Sequence, residues 1–172
     1  MRIVSGKFLL LMLAFFLAAG FFLSADPVEG YWKSVDEDGE PTAFWQIYIE
    51  DGMAFGRIVK IIGKPQDSIA DKVEASYPDH PVSGQLNTMR VVDVPWIYNL
   101  EPRRNEGEWT KGHIIDPNDG KRYALDLNFI PADHRKAVDG QETLEVKGKI
   151  LMFARSQYWV RSSRAEVDSY QE

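Results

Sequence analysis

Residues 112–123, GHIIDPNDGKRY, hold one His and two Asp within seven residues, with Asn118-Asp119-Gly120 at the tip. Closely spaced carboxylates can ligate a hard cation, and a His beside an Asp can serve as a general base. Counted from Asp116 as the first position of a calcium loop, Asn118 suits the third. The fifth is Gly120, Lys121 stands where Gly is required, and Leu127 stands where a bidentate Glu is required. The segment DEDGEP at 36–41 fails in the same way, with Pro41 at the Gly position. Pro, Asn, Asp and Gly supply the dihedrals and local hydrogen bonds of a strand reversal, so both segments are expected to be turns.

The remaining candidates for chemistry are few. His113 has no metal-ligand spacing to the other histidines, His80 and His134, and the chain contains no G-x-S-x-G, P-loop or dinucleotide-binding glycine run. An enzyme would need His113 or His134 to meet an Asp in a pocket, a hydrolase-type reading that ranks third. No metal and no cofactor is expected. The aromatic residues carry more information: Trp32, Trp45, Trp96, Trp109 and Trp159 are many for such a chain, and several fall on stripes that would face inward.

The elements that would position them read as strands. In TAFWQIYIEDGMAFGRIVKII, Ala43, Trp45, Ile47 and Ile49 alternate with Phe44, Gln46, Tyr48 and Glu50, and Asp51-Gly52 is a favoured two-residue hairpin turn. Residues 108–115 lead into the Asp116–Gly120 corner. Beyond it, Tyr123, Leu125, Leu127 and Phe129 form an apolar stripe opposite Arg122, Asp126 and Asn128. Further strands are expected at 31–35, near 91–100, in ETLEVKGKI and in SQYWVR, seven or eight in all, so the fold class is all-β, an antiparallel barrel or sandwich. Residues 63–82 interrupt the rhythm as a short helix or a loop insertion, the helix option resting on Ser68–Asp71 as an N-terminal box with Ile69 and Val73 on one side.

The ends and composition bound the cell biology. Arg2 and Lys7 precede an apolar run at 8–22, and Leu23-Ser24-Ala25 offers a small residue before Asp26, so residues 1–25 are expected to be a signal peptide. An apolar run of about 15 is short of the roughly 20 that span a bilayer, so no membrane span is expected after cleavage. Removing residues 1–25 takes away two basic residues and no acid, moving the formal charge from −6 to −8. An acidic chain without a basic cluster is a poor partner for nucleic acid. With no Cys, the 147 residues that remain must hold their fold by core packing alone. The domain reading is therefore a signal peptide at 1–25, one barrel at 26–161 and a polar, frayed tail at 162–172.

The segments GYWKS, FGRIVKI, WTKGHIIDPNDGKRYALDLNF, LEVKGKI and SQYWVR, in that order, resemble the exported bacterial family catalogued as domain of unknown function 2147. The likeness covers residues 28–161. It departs at MRVVDVPWIY, where Asp93 stands at a place commonly Gly, and 63–82 match poorly. The resemblance implies a lipocalin-like, up-and-down barrel of about eight strands. By the same resemblance, Trp32 of the G-x-W start would stack beneath Arg161 of the last strand, the guanidinium also donating to nearby carbonyls. The expected function is non-catalytic binding of a small apolar or amphipathic ligand in a barrel cavity, with Trp45, Trp109 and Tyr123 as candidate wall residues and a periplasmic or secreted location. The rival is a solid-core envelope module that binds a protein partner through an exposed apolar patch including Phe44 and Tyr48.

Overall fold

The computed structural model describes residues 25–36, 38–150 and 153–171; the expected signal peptide, apart from Ala25, lies outside them. Eight antiparallel strands follow one another around a closed barrel, each paired with its neighbours in the chain and the last with the first. They are β1 (Gly30–Val35), β2 (Pro41–Glu50), β3 (Met53–Ile61), β4 (Pro95–Pro102), β5 (Glu108–Ile115), β6 (Arg122–Ile130), β7 (Thr143–Ile150) and β8 (Phe153–Ser162). Asp51 and Gly52 take φ of 50° and 77°, the two positive values that the β2–β3 hairpin needs.

The stack inferred from the family likeness closes the barrel. Trp32 pairs with Arg161 across the β1–β8 seam. The Arg161 guanidinium carbon lies 3.8 Å from the centre of the indole, within cation–π range. Arg161 also donates to the Glu29 carbonyl at 2.7 Å, to the Pro27 carbonyl, and to Glu142 at 2.8 Å. The indole N–H donates to the Val28 carbonyl at 2.7 Å. Gly30 adopts φ of 119°, and a Cβ there would sit 3.0 Å from the guanidinium, so the seam needs a residue without a side chain.

Residues 62–94, between β3 and β4, form a loop insertion with short 3-10 turns at Leu86–Thr88 and Val91–Asp93. No helix forms at 68–73. Ile69 instead makes an isolated bridge to Arg90, and Ala70 N–H bonds the Met89 carbonyl at 2.9 Å. The insertion is held to the β5–β6 corner by Tyr77, whose hydroxyl donates to the Gly120 carbonyl at 2.7 Å, and by Lys64, which donates to Asn118 at 2.7 Å.

The C-terminal segment differs from the frayed tail expected of its polar composition. A short helix, α1 (Arg164–Ser169), is capped by Ser163, whose hydroxyl oxygen accepts from the Glu166 N–H at 3.1 Å. Its Val167 is buried, and Lys60 donates to the Val167 and Tyr170 carbonyls at 3.0 and 2.6 Å, satisfying the groups a helix end leaves open. Tyr170 then packs edge-on against Phe44 at 5.2 Å. The S-x-x-E spacing of Ser163 and Glu166 is the sequence signal for this helix.

Candidate functional site

Strand alternation sends Ala43, Trp45, Ile58, Leu125 and Val146 toward the barrel axis, and at one end they stand back around a cavity of about 890 Å³. That volume lies in the range of roughly 300–1,000 Å³ typical of small-molecule sites. Trp45 and Trp159 form one wall as a stacked pair, ring centres 4.8 Å apart and planes 25° from parallel. Their polar edges are turned to the protein. The Trp45 N–H donates to Ser34 at 3.2 Å, and the Trp159 N–H donates to Gln157 at 3.1 Å. Ser34 is in turn hydrogen-bonded to Thr42 at 2.8 Å and to the Ala43 carbonyl at 3.1 Å. Polar groups already paired cost little to cover, so the wall presents apolar surface to whatever enters.

The rim is mixed. Asp36, Asp116, Lys64, Lys72 and Asp71 border the mouth from the connections, together with Ile69, which is 47% exposed. The Asp116–Gly120 corner is part of this rim, and its groups are used to make a turn. The Asp116 carboxylate accepts from the Asn118 N–H at 2.8 Å and from its side-chain amide at 3.0 Å. Asp119 accepts from the Lys121 N–H at 2.9 Å, and Gly120 takes φ of 72°. Among the described residues, no group of three or more His, Cys, Asp or Glu is arranged to hold a metal ion.

Of the three wall residues singled out by sequence, Trp45 and Tyr123 border the cavity. Trp109 does not. It is buried toward the opposite end, paired with Leu127 and Pro102, and its N–H donates to Asp26 at 3.3 Å. Alternation tells which side of the sheet a residue faces but not its level along the axis, and Trp109 sits at the level that side chains fill. Trp159, which sequence reasoning counted but did not select, takes the place in the wall; its alternation within SQYWVR was the available signal.

Neither histidine of the enzymatic reading borders the cavity. His113 lies on the outer face, stacked on Tyr98 at 5.5 Å, with its pKa lowered by burial and further by the Arg122 charge, against an opposing pull from Asp79. His134 is exposed in the β6–β7 connection, its ring accepting the Lys136 N–H at 3.2 Å. The outer patch of the partner-binding reading also fails to form as expected. Phe44 is fully buried beneath Tyr170, and Tyr48 is stacked on Phe55 at 5.7 Å with Arg57 over its ring. No helix among the described residues is long and apolar enough to cross a membrane.

The architecture has a solved counterpart. A structure titled "Protein HP1028 from the human pathogen Helicobacter pylori belongs to the lipocalin family" superimposes with a TM-score of 0.60 at 14% identity, covering 82% of this chain and 86% of that one. At that identity the likeness establishes the lipocalin-like fold. A comparison with curated proteins finds no match. Residues 30–161, the whole of the barrel but its last residue, match the family described as "Uncharacterized protein conserved in bacteria (DUF2147)", and the chain belongs to that family.

Proposed function

We propose that this protein is an exported, non-catalytic carrier that holds one small apolar or amphipathic molecule inside the barrel. The observation that carries the reading is the cavity of about 890 Å³ walled by the Trp45–Trp159 stack. Burying apolar ligand surface there contributes about 25 cal/mol per Å², and the indole edges need no new hydrogen bonds. The mixed rim suits a polar end left at the mouth, which favours an amphipathic ligand over a wholly apolar one. Asp26, the expected first residue after export, is folded into the closed end through Val28 and Trp109, so a chain beginning there keeps these contacts.

Intrinsic tryptophan fluorescence titrated with fatty acids and other single-chain amphiphiles tests the reading. A saturable change in emission is expected, because a ligand in the cavity contacts the stacked pair. A flat response across a broad panel, with the protein shown to be folded, would sink it.

A further inference from the structure

Outside the barrel, on the face of β4–β6 away from the cavity, four side chains gather under the insertion. Tyr98 and His113 are cross-strand partners with rings stacked at 5.5 Å. Arg122 lies two residues before Ala124, which pairs with His113, so it shares that face; its guanidinium carbon is 5.8 Å from the centre of the Tyr98 ring. His80, from the insertion, closes the far side edge-on to Tyr98 at 4.7 Å, both its ring nitrogens bonded, one to the Pro95 carbonyl at 3.1 Å and one to the Val82 N–H at 3.2 Å.

Each of the other three keeps one buried polar atom without a partner in full hydrogen-bond geometry. Four buried side-chain polar atoms among the described residues have no hydrogen-bond partner, and three belong to this cluster: the Tyr98 hydroxyl, His113 Nδ1 and Arg122 Nε. Tyr98 is fully buried, so its hydroxyl has no recourse to bulk water. Burial pushes its pKa up, and the Arg122 cation, with a weak hydrogen bond from the guanidinium, pulls it down, a contact too loose to meet full hydrogen-bond geometry. Among the described residues, no carboxylate pairs with Arg122; Asp79 acts on Tyr98 and His113 through space only. A buried polar atom left so keeps its desolvation cost, greater on a charged group, and native structures rarely concentrate such atoms.

All three can donate a hydrogen bond: a guanidinium N–H always, a phenol O–H, and an imidazole in the right tautomer. A set of donors with one fixed positive charge calls for an acceptor-rich anion. We propose that Tyr98, His113 and Arg122 form a second site, separate from the cavity, for a small oxyanion such as a carboxylate or phosphate group. Arg122 supplies the charge, Tyr98 a buried neutral donor, and His113 a donor that strengthens when protonated. Burial first, and then Arg122, lower the His113 pKa in the free protein. A bound oxyanion offsets the Arg122 charge, so its binding and protonation of His113 assist one another.

NMR of the three histidine rings tests the site, with the full chain titrated in parallel by inorganic phosphate and by acetate. Expected is a saturable shift of the His113 resonances and a rise in its pKa with at least one anion, tighter at lower pH, with the exposed His134 as internal reference. The anion that binds better assigns the group as phosphate or carboxylate. Arg122→Met should weaken binding roughly tenfold or more, the loss of a charge-assisted contact. Should that variant fold poorly, Tyr98→Phe keeps the ring and removes one donor, and should weaken binding several-fold. No saturable shift at His113 with either anion, an equal shift at His134, or undiminished binding in both variants would overturn the proposal.

Discussion

Toward the closed end of the barrel, Trp32, Ile47, Leu100, Leu127 and Leu144 are all at most 1% exposed and fill the axis. Toward the mouth the same strands continue with the same alternation, yet their inward side chains surround a cavity. Two inward glycines show where the difference lies. A Cβ on Gly112 would come 2.9 Å from the Tyr98 carbonyl oxygen and 3.0 Å from the Leu100 Cα, and would collide with the Leu100 side chain. A Cβ on Gly148 would meet nothing nearer than the Tyr123 Cβ at 3.8 Å. In the first half a missing side chain lets strands and neighbours close in; in the second it leaves room. Glycine packs one region and hollows the other, and only the surrounding backbone decides which.

That contrast breaks if truncations cost the same in both halves. Leu127→Ala or Leu144→Ala should destabilise by about 3–4 kcal/mol, transfer loss plus a new void, whereas Ile58→Ala on the cavity wall should cost about 1–2 kcal/mol because the space beside it is already open. Urea denaturation checks this, and equal costs would mean that the cavity is closed in solution. Gly112→Ala should cost about 2–3 kcal/mol through overpacking, against less than about 0.5 kcal/mol for Gly148→Ala. Gly148→Leu sharpens the point: stability near wild type, with amphiphile binding by tryptophan fluorescence weakened several-fold.

At the closed end, a double-mutant cycle on Trp32→Leu and Arg161→Met should give a coupling of about 1–2 kcal/mol, since the stack is lost by either change. Additive losses would reduce Arg161 to its carbonyl bonds.

The smallest effect is in pH. His80 and His113 both sit below their ordinary value of 6.5, chiefly through burial. Both states are then neutral above about 6.5, and stability is full there. As pH falls through 6.5 the unfolded chain takes protons first and stability declines, until the folded histidines also protonate. Because His80 anchors the insertion, amide-exchange protection relative to the intrinsic rate at each pH should fall in mild acid at residues 77–94, beside the hollow half, before it does in β1 and β8. Simultaneous loosening would place the histidine contribution elsewhere.

Strand number and the two turns at Asp51-Gly52 and Asp116–Gly120 were legible because each is written in local alternation or in residues that only certain dihedrals accept, whereas the Trp32–Arg161 closure was implied by the family resemblance. What stayed hidden depends on distance along the chain. Residues 63–82 read as either a short helix or a loop insertion, because Ser68–Asp71 has the types of a helix start; the loop that forms is held through long-range bonds, Tyr77 to Gly120 and Lys64 to Asn118. Phe44 read as an outward contact surface; its cover, Tyr170, comes from the far end of the chain. Trp109 and Trp45 have the same alternation signature, and only the barrel's packing separates a filler from a wall.

The seam between β1 and β8 has a consequence for how copies of this protein behave together. Three residue pairs join these strands, against eight between β7 and β8. A barrel has no exposed strand edge only while that short seam holds; once parted, β1 and β8 would each offer an unpaired row of N–H and C=O groups, a template on which another chain can add. Arg161 fastens the seam from its end, reaching Glu29, Pro27 and Glu142 as well as Trp32. Its loss would therefore register less in the melting of a dilute sample than in concentrated ones, as chains that pair edge to edge.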